Sequence, residues 1–439
     1  HLGESLVHAD LSGADSLDGM LETLSREHDP EHDWILGFGY DESEWEDANR
    51  FPTRDDLDRV STDRPIAVFR VDMHSASVNS VALDVLSGEL PDCTVRTEGG
   101  APTGVLVEGA VDVVRAAIEP DRATTRRLLE TAIAYANERG VTGVHDMVRD
   151  SHAPAVYRDL DREGDLSLRV TVNYWADHLD SIVDLGLGPD DGSDFVRTGA
   201  IKTYTDGSIG SRTARLGEPY ADSPRESGEW VVPPADLEDL LGRASDAGQQ
   251  LAVHAIGDEA IRAVLTAFES IESGRSRHRI EHVEVLPDDL LDRFAESDAI
   301  ASMQPNFLKW AAAGGLYDDR LGPDRRKRSN RFNAMHEAGI PLAFGSDCMP
   351  LDPLFGVHHA VNAPEPEQRL PVTDALRAYT LGSAYSSFDE HRLGTVEVGK
   401  QADLVVLDES PWENEDRIAD IEVAMTVVDG EIVYERDRD

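Results

Sequence analysis

From about residue 125 onward the chain alternates between two hydrophobic patterns. Short runs rich in β-branched and apolar residues recur at 140–146, 168–174, 200–204, 251–254, 278–283, 300–304 and 340–345, and each predicts a strand. Between them lie amphipathic stretches with helical spacing of apolar positions, at 122–138, 235–247, 259–272, 287–296 and 329–338. Strands alternating with helices predict βαβ units and a parallel sheet. The seven strands are one short of a closed eight-stranded barrel. Residues 30–120 break the alternation and predict an inserted subdomain of mixed α and β character. The last ~50 residues form short apolar runs with turns, and Asp429-Gly430 carries a hairpin signal. The expected architecture is therefore α/β: a (β/α)8 TIM-like barrel over 1–388 with an α+β insertion at about 30–120. Residues 389–439 are expected to form part of a small, incomplete β-sandwich. No repeat unit is visible along the chain.

Charge changes the picture more than composition does. The 439 residues carry 41 Lys and Arg against 86 Asp and Glu, a formal net charge of −45. Such a field repels phosphate backbones and anionic lipid, which argues against nucleic acid and membrane surfaces as partners. The acids are spread along the chain rather than gathered in one tail, as expected of a uniformly acidic, solvated surface. Concentrated salt screens the self-repulsion of that surface, so the expected setting is the cytoplasm of a salt-accumulating halophile. Lysine is nearly eliminated, occurring only at Lys202, Lys309, Lys327 and Lys400. Two cysteines, Cys93 and Cys348, cannot build a disulfide framework or a four-thiolate zinc site. No run approaches the ~18–20 apolar residues of a membrane-spanning helix, and no signal-peptide pattern opens the chain.

Active sites of parallel barrels lie where the strands end. The last polar residues of four strand-like runs are Lys202, His254, His282 and Asp347. Each has an ordinary reading: a hydrogen-bonded histidine, a helix-capping aspartate, a snorkelling lysine. The lysine is the least ordinary, because this chain uses arginine wherever charge alone suffices, and only lysine becomes a reactive amine when buried. Two imidazoles and a carboxylate suit a divalent metal such as zinc or manganese. His74 and Arg212 are candidates for substrate contact, with a packed polar residue and a surface ion pair as the competing readings. His145, Asp146, His358 and His359 carry less weight.

These residues sit within longer stretches. They include Asp72-Met73-His74-Ser75, Gly143-Val144-His145-Asp146-Met147, Lys202-Thr203-Tyr204-Thr205-Asp206-Gly207-Ser208, Ser211-Arg212-Thr213-Ala214, His254-Ala255-Ile256-Gly257-Asp258, Glu281-His282 and Gly345-Ser346-Asp347. Near the end comes Gly399-Lys400-Gln401-Ala402-Asp403-Leu404. In these the chain resembles the amidohydrolase superfamily, in its branch of N-substituted formamide deformylase-like, YtcJ-like metal-dependent hydrolases. The resemblance implies a distorted barrel holding one or two divalent ions, with zinc expected. It implies that Lys202 bridges them after carboxylation by CO2, and that His254, His282 and Asp347 ligate. His1 corresponds to the second histidine of the first-strand His-x-His pair. The rest of that strand, and the N-terminal half of the sandwich, are expected to be missing.

The expected function is hydrolysis of a C–N bond, an amide foremost, with Asp347 as both metal ligand and proton shuttle. A deaminase of the same superfamily and an inactive homologue acting as a binding protein are the alternatives. A phosphate-binding barrel enzyme ranks last, because 345–350 is not a Gly-rich phosphate loop. The expected partner is a small amide-like molecule, and a homodimer stays open.

Overall fold

In the computed structural model the chain divides into two units, residues 1–132 and 133–439. All residues are described except 1, 29–31, 46, 49, 92–93, 272–275 and 438–439, so His1 and Cys93 lie outside the described residues.

Unit 133–439 is built on seven parallel strands, each hydrogen-bonded to the next in chain order. They are β7 (Gly143–Val148), β8 (Arg169–Trp175), β9 (Val196–Tyr204), β10 (Leu251–Ala255), β11 (Arg279–His282), β12 (Ile300–Met303) and β13 (Leu342–Phe344). This curled sheet accounts for the seven strand-like runs, in order. The expected helices appear as Arg122–Glu138, Pro234–Asp246, Asp258–Ser270, Asp288–Ala295 and Phe332–Glu337. The central strands are buried along their whole length; Leu251, Val253, Ile280 and Ile300 are essentially inaccessible. That is the signature of parallel strands covered on both faces.

A three-stranded antiparallel sheet closes the chain: β14 (Leu404–Leu407), β15 (Val423–Val428) and β16 (Glu431–Glu435). Asp429 and Gly430 join the last two strands, with φ of +53° and +83°, as a two-residue primed hairpin turn requires. Asp403 explains its own place at the start of β14. It takes the guanidinium of Arg169, at the start of β8, through contacts of 2.6 and 2.9 Å, and Asp429 adds a third at 3.1 Å. This bidentate pair fixes the small sheet to the N-terminal edge of the large one.

Unit 1–132 carries a second sheet. Its order is β1-β2-β3-β4-β6-β5, from β1 (Ala9–Asp10), β2 (Ile35–Tyr40), β3 (Ile66–Arg70), β4 (Ser75–Val78), β5 (Val95–Glu98) and β6 (Ala101–Val107). β1, β2 and β3 pair parallel; the remainder pair antiparallel. Alternate residues of β3 feed two cores. Ala67 and Phe69 join Leu36, Phe38, Leu106 and Val114. Ile66 and Val68 join Leu11, Met20 and Leu24. Among the described residues no helix is long and apolar enough to cross a membrane.

Candidate active site

The register of the parallel sheet decides which side chains meet. Lys202 on β9 is level with Ala252 on β10, which is level with Arg279 on β11. Two residues further along, Tyr204, His254 and Glu281 form the next level, continued by Ser302 on β12. Side chains two apart on a strand share a face, so Lys202 and His254 project to the same side near the C-terminal ends of their strands.

The imidazoles of His254 and His282 meet edge to face, with ring centres 4.5 Å apart. Each has one nitrogen tied. The Nε2 of His254 lies 3.1 Å from the carbonyl oxygen of Gly207; a carbonyl only accepts, so Nε2 carries the proton and Nδ1 carries the lone pair. The Nδ1 of His282 lies 2.7 Å from Oε1 of Gln304, which leaves its Nε2 as the lone-pair nitrogen. Burial lowers the pKa of His282, with the Lys202 charge adding to it against the pull of Asp347. Tethers of this kind fix tautomer and ring orientation in metal-ligating histidines.

Lys202 is 4% exposed. Its ammonium lies 4.8 Å from the ring centre of Tyr204 and 5.7 Å from that of Trp175. Its hydrogen bond, to the Thr203 carbonyl, is long at 3.4 Å. Burial brings its pKa down to about 8; Glu281, Asp347 and Asp206 oppose the fall and Arg279 assists it. Asp347 is thus within electrostatic reach of both Lys202 and His282.

The backbone is unusual at this end of the sheet. His282, the last residue of β11, and Val283, Asp347 and Cys348, which follow strand ends, have φ of +77°, +49°, +52° and +58°. Left-handed conformations in non-glycine residues cost energy and concentrate at functional sites. Asp206 braces the surrounding loops. Its fully buried carboxylate accepts the backbone N–H groups of Arg215, Ile256 and Gly257 at 2.8, 3.1 and 2.9 Å.

The structure thus brings Lys202, His254, His282 and Asp347 into one neighbourhood. Arg212 is engaged elsewhere, in a two-contact pair with Asp222 at 3.1 and 2.7 Å. His74 belongs to the 1–132 unit, where its Nδ1 lies 3.0 Å from Glu108. Five residues of this neighbourhood escaped the sequence reading: Gln304, Arg279, Glu281, Glu284 and Tyr317. Gln304 directly follows β12, so the same strand-end rule finds it. Arg279 and Glu281 sit within a strand, where a charge ordinarily reads as exposed. Glu284 is buried, which pushes its pKa up to about 7, and it accepts a hydrogen bond from the Tyr317 hydroxyl.

Among the described residues, no three His, Cys, Asp or Glu side chains close on a single point. The donor chemistry nevertheless fits a divalent ion: two tethered imidazoles with defined lone pairs, a carboxylate in reach, and an amine that burial drives toward neutrality.

Comparison with known proteins agrees. The amidohydrolase family model Amidohydro_3 matches residues 1–434. The Bacillus subtilis protein YtcJ is 34% identical over 99% of this chain and 86% of its own. The N-substituted formamide deformylase of Arthrobacter pascens is 27% identical over 96% of this chain and 83% of its own. A solved metal-dependent hydrolase from Pyrococcus furiosus superimposes with a TM-score of 0.74 at 33% identity, covering 94% of this chain and 85% of that one. With the sheet, its strand-end residues and these likenesses together, the chain belongs to the amidohydrolase family.

Proposed function

We propose that the chain is a metal-dependent hydrolase that cleaves a C–N bond, with small amides as its substrate class and a salt-rich cytoplasm as its setting. The observation that carries this reading is the paired imidazoles of His254 and His282, 4.5 Å apart beside a buried lysine. A divalent cation, zinc in our reading and one or two in number, supplies Lewis acidity for the carbonyl oxygen and acidifies water toward neutrality. Nδ1 of His254, Nε2 of His282, the Asp347 carboxylate and Lys202 would hold it, the lysine as its CO2-derived carbamate.

The remaining chemistry belongs to side chains. Asp347 takes the proton of the attacking water and returns it to the departing amine nitrogen, acting first as base and then as acid. Gly207 and Gln304 keep the two rings in register, so that neither turns when charge develops. Trp175 and Tyr204 shield the inner wall and keep the dielectric low around Lys202.

Elemental analysis of the purified protein and of Lys202→Ala tests the reading. Loss of even an outer partner of a metal ligand costs about 10–100-fold in affinity, so Lys202→Ala should retain little bound metal. Unchanged stoichiometry in a folded variant contradicts the assignment. Amine release from simple amides is expected, whereas ammonia release from cyclic amidines would move the chain to the deaminases.

A further inference from the structure

The short helix Pro305–Ala311, which follows β12, serves two parts of the site. Gln304, just before it, tethers the His282 ring. Phe307, in its first turn, stacks on the same imidazole, with ring centres 5.9 Å apart and planes 8° from parallel. Asn306, between them, reaches the loop after β13 instead. It is wholly buried, and its Nδ2 donates to the carbonyl oxygens of Ser346 at 2.8 Å and Met349 at 2.9 Å. Those two carbonyls bracket Asp347 and Cys348.

The loop needs such a hold. Asp347 and Cys348 are successive non-glycine residues with φ of +52° and +58°, and backbone of this kind persists only where its surroundings over-determine it. Within the turn, the Met349 N–H donates to the Ser346 carbonyl at 3.1 Å and the Cys348 N–H to the Ser346 hydroxyl at 3.2 Å. Asn306 takes the second lone pair of the Ser346 carbonyl. At the Met349 carbonyl it shares the oxygen with Nζ of Lys309, 3.2 Å away. The amide cannot be turned over, because its own oxygen would then meet two carbonyl oxygens. The far end of the side chain shows what this orientation costs. Oδ1 of Asn306 is buried with no hydrogen-bond partner among the described residues, and buried polar atoms in that state are rare. The amide forgoes a bond at its oxygen and keeps both donors on the loop.

We propose that Asn306 is a positioning residue for Asp347, its two N–H donors clamping the Ser346–Met349 turn so that the carboxylate is held within reach of His282 and Lys202. The segment 304–307 thereby sets the imidazole and the carboxylate in one frame, the first through Gln304 and Phe307 and the second through Asn306. A loop fixed in advance does not have to be ordered when an ion or a substrate binds. What the clamp serves rests on the reading of Asp347 as metal ligand and proton shuttle; the clamp itself does not.

Amide hydrogen exchange of the purified full chain, before and after chelation and read by mass spectrometry on peptides across 345–351, tests the clamp. Asn306→Asp keeps the shape of the side chain and puts an oxygen where the donating nitrogen was; Asn306→Ala removes the group. Both should speed exchange across 345–351 about tenfold or more, for the loss of two hydrogen bonds, and leave exchange in β10 unchanged. A role in packing alone predicts that Asn306→Asp exchanges like wild type, and that result overturns the clamp. Zinc affinity, measured by competition with a chelating dye, is the second readout. Both variants should bind about 10–100-fold more weakly, as when a group behind a metal ligand is lost. Faster loop exchange with unchanged zinc affinity overturns the positioning role. A wild type that binds no zinc overturns the metal reading instead, and exchange alone then decides the clamp. Where neither variant folds, wild type labelled with nitrogen-15 at asparagine gives the answer by NMR. The Nδ2 protons of Asn306 should exchange at least about tenfold more slowly than those of free asparagine, and equal rates overturn the contact.

Discussion

The amide of Gln304 does for His282 what the Gly207 carbonyl does for His254: it accepts a hydrogen bond from one ring N–H and so chooses the nitrogen left to bind. Gln304→Leu keeps the volume and removes the acceptor, so the ring loses its tautomer and orientation. Metal affinity should fall by about 10–100-fold, read by competition with a chelating dye, and an unchanged affinity would remove Gln304 from the site. His74 supports a different kind of test. Burial alone would lower its pKa, but Glu108 and Asp72 overcome burial and raise it from 6.5 to about 9. A base whose pKa rises on folding binds its proton more tightly in the folded state. The resulting stability is complete below pH 6.5 and disappears as pH climbs through about 9. Unfolding by urea should therefore show a falling stability over that window in wild type and a flatter one in His74→Gln. Identical pH profiles would show that the imidazole carries no extra proton.

At the scale of elements, what could be read from the chain followed the locality of the physics. The central strand β10 announced itself because a parallel strand buried on both faces reads as a continuous apolar run, as in Leu251-Ala252-Val253. The helix Asp288–Ala295 announced itself by spacing and by charge, with Asp288 and Asp289 in its first turn and Arg293 in its last. The 1–132 unit was harder. Its β1 is two residues long, its β5 is largely exposed, and its order places β6 between β4 and β5; such pairings follow from contacts distant in sequence. Lys202, His254, His282 and Asp347 were legible because each lies near or just past the C-terminal end of its strand. Arg279 and Glu281 were not, because only the cross-strand register reveals which charges face one another. The helical spacing makes its own prediction. Phe294 and Leu290 are wholly buried on the inner side of their helix, so Phe294→Ala leaves a cavity and should cost about 3–5 kcal/mol in chemical unfolding. A loss below about 1 kcal/mol would mean that this helix does not pack as described.

At the scale of the whole molecule the excess of acid dominates. With 86 acidic and 41 basic side chains, neutralising every arginine and lysine still leaves 45 carboxylates without a cation, a net charge of −45. Their mutual repulsion reaches ~30 Å at 0.01 M salt and only ~3 Å at 1 M. The folded state holds these charges closer than the unfolded chain does, so low salt penalises folding. Melting temperature should therefore rise from dilute buffer to molar KCl, by on the order of 10 °C if several kcal/mol of repulsion are relieved. Concentrated salt also strengthens apolar burial, so the rise alone does not isolate the charge. A surface variant separates the two causes. Asp236, Glu238 and Asp239 are exposed on the helix Pro234–Asp246, away from its buried Leu237 and Leu241. Asp236→Asn, Glu238→Gln and Asp239→Asn together remove three like charges without touching the core. If repulsion is the cause, the triple variant melts higher than wild type by a few degrees in dilute buffer and together with it in molar KCl. An equal offset at both salt concentrations would attribute the change to helix propensity, and a higher melting temperature of the wild type in dilute buffer than in molar KCl would show that the acidic surface does not make this fold depend on salt.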